Sequence, residues 1–161
     1  MHYRLLLCLA VLLADAALAR PHFNLTVGDR DETDRDDRLP AIGMSADFGP
    51  DGRLIRPEFG VALGFDPIYG GNESEVSAGA IAYWEGGASR IHFAAGLSSV
   101  SSDFGANSGS STGIHVHGGV SWQKRSRWMG VDVRYLEGRD LHVYGTSFPI
   151  GYLQFAFLLG W

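Results

Sequence analysis

The sequence predicts an all-β protein: a closed antiparallel transmembrane β-barrel of about eight strands, preceded by a cleaved signal peptide. Three observations carry this. Alternation of apolar and polar residues with period 2 recurs throughout the chain after residue 19, where helical spacing is hard to find. No apolar run beyond that point approaches the ~18–20 residues of a membrane helix, whereas a barrel strand needs apolar residues only at every second position. Each alternating run is near ten residues, which at ~3.3 Å per residue and a tilt of ~40° rises ~25 Å, the height of a barrel's apolar band.

The first segment stands apart. Met1-His2-Tyr3-Arg4 carries one positive charge, Leu5 to Leu13 is continuously apolar, and Ala17-Leu18-Ala19 offers a small-x-small cleavage site. That is the layout of a secretory signal, with an apolar run too short to cross a bilayer. It divides the chain into a signal peptide at 1–19 and a barrel domain at 20–161. The single cysteine, Cys8, falls in the signal, so the remaining chain is expected to hold no disulfide, thiolate nucleophile or cysteine-bound metal. Net charge is −5 and does not change on cleavage, because Arg4 and Asp15 leave together. An acidic chain without a basic patch argues against nucleic acid as a partner.

The strand runs, in order, are 22–29, 39–49, 54–66, 75–86, 89–101, 112–123, 128–138 and 151–161. Sorted by parity, one face of each is apolar. The second run shows Ile42, Met44, Ala46 and Phe48; the third Ile55, Phe59, Val61, Leu63 and Phe65. Ile91, Phe93, Ala95 and Leu97 follow in the fifth, Ile114, Val116, Val120 and Trp122 in the sixth, and Met129, Val131, Val133 and Tyr135 in the seventh. The last run ends in Leu153, Phe155, Phe157, Leu159 and Trp161. Opposite faces carry charge of both signs: Asp47, Arg56, Glu58, Glu85, Arg90, His92, His115, His117, Asp132 and Arg134. The fourth run is only weakly apolar outside, with Ala78, Ala80 and Ala82.

Which face points inward decides between a membrane barrel and a soluble one, and three features choose the membrane. Short joins near Asp51-Gly52, Gly86–Ala88 and Lys124–Arg127 alternate with longer polar ones at Asp29–Arg38, Pro67–Ser74, Ser102–Ser111 and Arg139–Ile150. That is the pattern of periplasmic turns and outer loops. Trp84, Trp122, Trp128 and Trp161, with Phe48, gather at the short-turn end as an aromatic girdle, although Trp128 breaks its strand's parity. Tyr69, Phe104, Tyr135 and Phe148 are candidates for the opposite girdle. A terminal Trp161 behind alternating Phe155, Phe157 and Leu159 resembles the C-terminal signal read by the outer-membrane barrel-assembly machinery.

Turn chemistry sets an expected register. Asp51-Gly52 is a strong two-residue hairpin signal, and centring there puts Asp47 opposite Arg56, Ser45 opposite Glu58 and Phe48 opposite Ile55. Centring the next hairpin on Gly87-Ala88 puts Glu85 opposite Arg90 and Tyr83 opposite His92. Opposite charges meeting across strands suit a desolvated interior. Pro57 removes a ladder donor and predicts a bulge.

Across nearly the whole barrel region these features resemble the small OmpA- and OmpX-type outer-membrane barrels. The resemblance implies a lumen filled by side chains and closed to solutes. It also implies a bacterial outer-membrane location, with lipid, lipopolysaccharide, the assembly machinery and periplasmic chaperones as partners of a monomer. The charged inner residues then form a polar network, with no cofactor. His115, His117 and His92 share the interior and are a conceivable metal set, but no ligand set is fixed by the spacing, and they are assigned to that network. The mixed-sign run Asp29–Arg38 reads as a solvated loop. The function expected is non-enzymatic, structural or surface-interacting. The alternative is a lipid A-modifying enzyme, since outer-membrane lipid A deacylases resemble this chain in size. Their hallmark, a His closely followed by Ser-Asn near the chain end, has no counterpart in Val131–Gly138, and His142 and Ser147 lie beyond that run.

Overall fold

The computed structural model describes residues 21–32, 38–49, 54–65, 71–104, 107–138, 141–143, 146–148 and 151–161. The expected signal peptide and the Asp51-Gly52 turn lie outside the described residues. Among the described residues ten strands form: β1 (His22–Glu32), β2 (Arg38–Asp47), β3 (Ile55–Phe65), β4 (Asn72–Gly86), β5 (Ser89–Phe104), β6 (Asn107–Lys124), β7 (Arg127–Gly138), β8 (Leu141–Val143), β9 (Thr146–Phe148) and β10 (Gly151–Gly160). Eight of them close into a barrel in the order β1-β10-β7-β6-β5-β4-β3-β2, every pair antiparallel. β8 and β9 make a separate two-stranded hairpin between β7 and β10.

Polarity is inverted relative to a water-soluble barrel. Phe157 is 77% exposed while Arg30 is 0% exposed. The outward side chains of β2, β3, β5, β6, β7 and β10 form a continuous apolar surface from Ile42 to Phe157, and Asp47, Glu58, His92 and Asp132 are buried inside. Burying apolar area stabilises a chain in water by ~25 cal/mol per Å², so leaving this many large apolar groups outside makes sense only against lipid. The lipid-facing residues are those assigned by parity.

The barrel is closed by Phe23 on β1 and Trp161 after β10. Their backbones exchange hydrogen bonds of 3.1 and 3.0 Å and their rings stack 6.3 Å apart. Both chain ends of the barrel therefore lie with the tight turns at 87–88 and 125–126. Trp84 and Trp122 are exposed near those turns, with Trp161 beside them. Trp128 belongs to β7, on the lumen face, opposite Gln123 and Gly160.

Three expectations need correction. First, β2 and β3 are displaced by two residues from the predicted register. Asp47 faces Glu58, Ser45 faces Gly60, and Phe48 N donates to Pro57 O at 3.0 Å. A two-residue slip preserves which face each side chain occupies, so the alternation cannot detect it. Second, Pro57 makes no bulge: it holds its place in the continuous β3–β4 ladder opposite Ala80, and the β2–β3 ladder ends one residue before it, at Asp47 and Glu58. The proline's missing donor falls just past the end of the β2–β3 ladder, where its carbonyl accepts from Phe48 N. Third, connections do not alternate simply between short and long. β5 and β6 stay paired up to Phe104 and Asn107, so the expected polar loop there is mostly hairpin. The charge run is also partly strand, since β1 continues to Glu32 and pairs Asp29 with Pro40 and Asp31 with Arg38.

Candidate functional site

The lumen carries the concentrated chemistry, and it is built in three tiers. At the turn end, Asp47 accepts hydrogen bonds from Arg56 at 3.2 Å and Tyr83 Oη at 2.6 Å. Arg56 also donates to His22 Nδ1 at 2.7 Å. Arg90 has aromatic partners: its guanidinium lies 4.4 Å from the ring centres of both Tyr83 and Trp128. A cation lying over two aromatic rings is attracted by their quadrupoles.

The middle tier is a chain of four side chains. Glu58 Oε2 lies 2.9 Å from His117 Nε2, His117 Nδ1 lies 3.1 Å from Asp132 Oδ2, and that same oxygen lies 2.6 Å from His92 Nε2. All four residues are buried. They come from β3, β6, β7 and β5 and converge because each sits on an inward-facing position. Gly119 on β6 faces both His92 and Asp132 in the register.

The far tier centres on Glu75, which accepts from Arg30 at 3.0 Å, from Ser98 at 2.7 Å, and from Arg134 and Tyr152. Arg30 reaches on to Glu73 at 3.5 Å and lies 4.1 Å from the Tyr152 ring centre. Ser102 supplies Glu73 with a further bond of 3.0 Å. His115 Nδ1 is 2.8 Å from Ser98 Oγ, which ties it to this tier and not to His117's carboxylates. Val100, Leu136 and Tyr152 pack together as a small apolar cluster.

Of the residues expected in the lumen, Asp47, Arg56, Glu58, Arg90, His92, His115, His117 and Asp132 are buried there, and Arg134 is half-buried. Glu85 is different. It faces Arg90 in the register as expected, yet it is exposed at the rim and outside the buried network. On the outer surface Trp84, Trp122, Phe155, Phe157 and Trp161 are exposed and Leu159 is half-buried. Tyr135 is exposed too. Tyr69 lies outside the described residues, and the side chains of Phe104 and Phe148 are not described.

Sequence reasoning missed Arg30, Glu73 and Glu75, the heart of the far tier. The signal was present in the parity. Arg30 shares its face with Asn24 and Thr26, and Glu73 and Glu75 share theirs with Ser77 and Tyr83. Arg30 lies in an acidic–basic run that reads as solvated until its partners Glu73 and Glu75, 43 and 45 residues away, are known.

Inside the barrel lies a cavity of about 30 Å³, lined in part by Glu58, His92, His117 and Asp132. That is room for a water or two.

A closed eight-stranded barrel with a charged, filled lumen and an apolar exterior is the architecture of the small outer-membrane β-barrels. Comparison with solved structures agrees. The chain is similar to Neisserial surface protein A, with a TM-score of 0.67 and 14% identity over 87% of this chain and 94% of that one. It is also similar to the outer membrane enzyme PagL, with a TM-score of 0.55 and 13% identity over 86% and 97% of the two chains. The N-terminal barrel domain of Pseudomonas aeruginosa OprF matches with a TM-score of 0.54 and 11% identity over 87% and 97%. No protein-family model matches the sequence, and no curated protein matches it.

Proposed function

We propose that this chain is a non-enzymatic outer-membrane barrel that presents a surface hairpin to its surroundings, with a structural or surface-interaction role. One observation supports this best. β5 and β6 remain paired beyond their apolar stretch, and their outward faces change from Leu97 and Ile114 to Ser99, Ser101, Asp103, Ser110 and Thr112, all of them exposed. A polar two-stranded extension on a barrel closed to solutes is a surface for contact, since the lumen offers no passage. Lipopolysaccharide, the assembly machinery and periplasmic chaperones are the partners such a barrel would meet, and a monomer suffices for it.

A second reading, a lipid A-modifying enzyme, draws on the β8–β9 register, which pairs His142 with Ser147. Mass spectra of lipid A from Gram-negative cells with and without the protein separate the two. Unchanged spectra, with the hairpin cleaved by protease added to intact cells, are expected. An acyl chain lost or gained in a manner abolished by His142→Ala or Ser147→Ala would replace the first reading by the second.

A further inference from the structure

We propose that His92, His117 and Asp132 form a binding site for one divalent transition-metal ion of the zinc class inside the barrel. The three offer ligand atoms that all lie within 4.8 Å of one another, and all three residues are buried. Two imidazoles and one carboxylate are a suitable donor set for such an ion. The separations from Asp132 Oδ2, 2.6 Å to His92 Nε2 and 3.1 Å to His117 Nδ1, are shorter than a coordination tetrahedron requires. With bonds of ~2.0–2.1 Å its edges are ~3.3 Å, so insertion opens the His92–Asp132 edge by ~0.7 Å and the His117–Asp132 edge by ~0.2 Å, and the His92–His117 edge, within 4.8 Å, adjusts to match.

Three further observations point to a ligand at this place. Glu58 holds the far nitrogen of His117 at 2.9 Å, which aims Nδ1 at Asp132 in the manner of the carboxylates that orient metal-bound histidines. Glu58 Oε1 is buried with no hydrogen-bond partner, and it lines the same 30 Å³ cavity as the three donors. A water completing the ion's coordination from that cavity would give this oxygen its missing donor. The charges also fit. Asp47, Glu73 and Glu75 each pair with an arginine, whereas the ion-pair partners of Glu58 and Asp132 among the described residues are imidazoles alone. With neutral imidazoles this leaves two negative charges in the middle tier, which one divalent ion matches.

Gly119 keeps the floor clear. A Cβ there would stand 2.8 Å from His92 Cε1 and 2.0 Å from Val131 O.

The test uses full barrel purified without a histidine tag, unfolded with chelator, and refolded into detergent with Zn²⁺ or Co²⁺. Expected are one ion per heat-shifting barrel after gel filtration, and visible d–d absorption with Co²⁺. Asp132→Asn and the His92→Gln/His117→Gln double variant should lose the ion, His115→Gln should keep it, and Glu58→Gln should weaken it roughly 10–100-fold. Folded wild-type barrel without a stoichiometric ion overturns the proposal. So does an ion retained by a folded double variant. Should a variant fail to fold, the wild-type stoichiometry and the His115→Gln spectrum still decide.

Discussion

His92 and Asp132 stand on strands that do not pair with each other, β5 and β7, yet their side chains meet at 2.6 Å across Gly119 of the intervening β6. The contact exists because the middle residue of the row has no side chain. In a lumen this narrow, which long side chains meet is decided by where the small ones stand.

Gly119→Ala therefore tests the row. Its Cβ would meet backbone at Val131 O, which cannot swing aside, and the His92 ring as well. The cost expected is about 1–3 kcal/mol, as for other overpacked interiors. Gly86→Ala, where a Cβ meets nothing within 4 Å, is the control and should be close to neutral. Urea midpoints of the folded band on unboiled gels report both.

Arg30 is the buried cation that compensates Glu73 and Glu75. Arg30→Met leaves those carboxylates short of a partner and should cost about 3–5 kcal/mol, the range for breaking a buried pair from one side. Adding Glu73→Gln and Glu75→Gln removes the uncompensated charge and should recover part of the loss. Recovery is the sign that charge, and not the lost packing of the arginine stem, is responsible.

Phe157 separates a lipid-facing surface from a wet one. As the most exposed large apolar side chain among the described residues, it would tolerate arginine in a water-soluble protein without loss. In a bilayer, Phe157→Arg should destabilise the barrel by about 2–4 kcal/mol, the cost of that charge near the midplane. Folding equilibria in lipid vesicles measure it. A neutral result would mean that this face is not against hydrocarbon.

The β6–β7 turn carries a backbone strain that can be relieved. Arg125 has φ of 61°, a left-handed conformation that the equivalent position of the β4–β5 turn fills with Gly87. Arg125→Gly should raise stability by about 1 kcal/mol, because glycine adopts that conformation without the clash of a Cβ. The readout is a higher urea midpoint with unchanged gel mobility.

Inside and outside were legible in the sequence. Side chains alternate with period 2 along a strand, so the apolar parity of Phe155, Phe157 and Trp161 and the charged parity of His117 and Asp132 declare their faces before any partner is known. The β4–β5 register was legible too. Its turn holds only residues 87 and 88, which leaves one way to pair Tyr83 with His92 and Glu85 with Arg90.

What only the tertiary structure decided are the relations that parity cannot carry. The β2–β3 offset was invisible because a two-residue slip returns every side chain to its own face. Arg30 looked like solvated loop because its carboxylates come from β4, across the lumen and not beside it in sequence. The convergence of His92, His117 and Asp132, and the departure of His115 toward Ser98, likewise depend on how eight strands close around one axis. Local pattern states which way a residue points. Closure of the barrel states what it meets there.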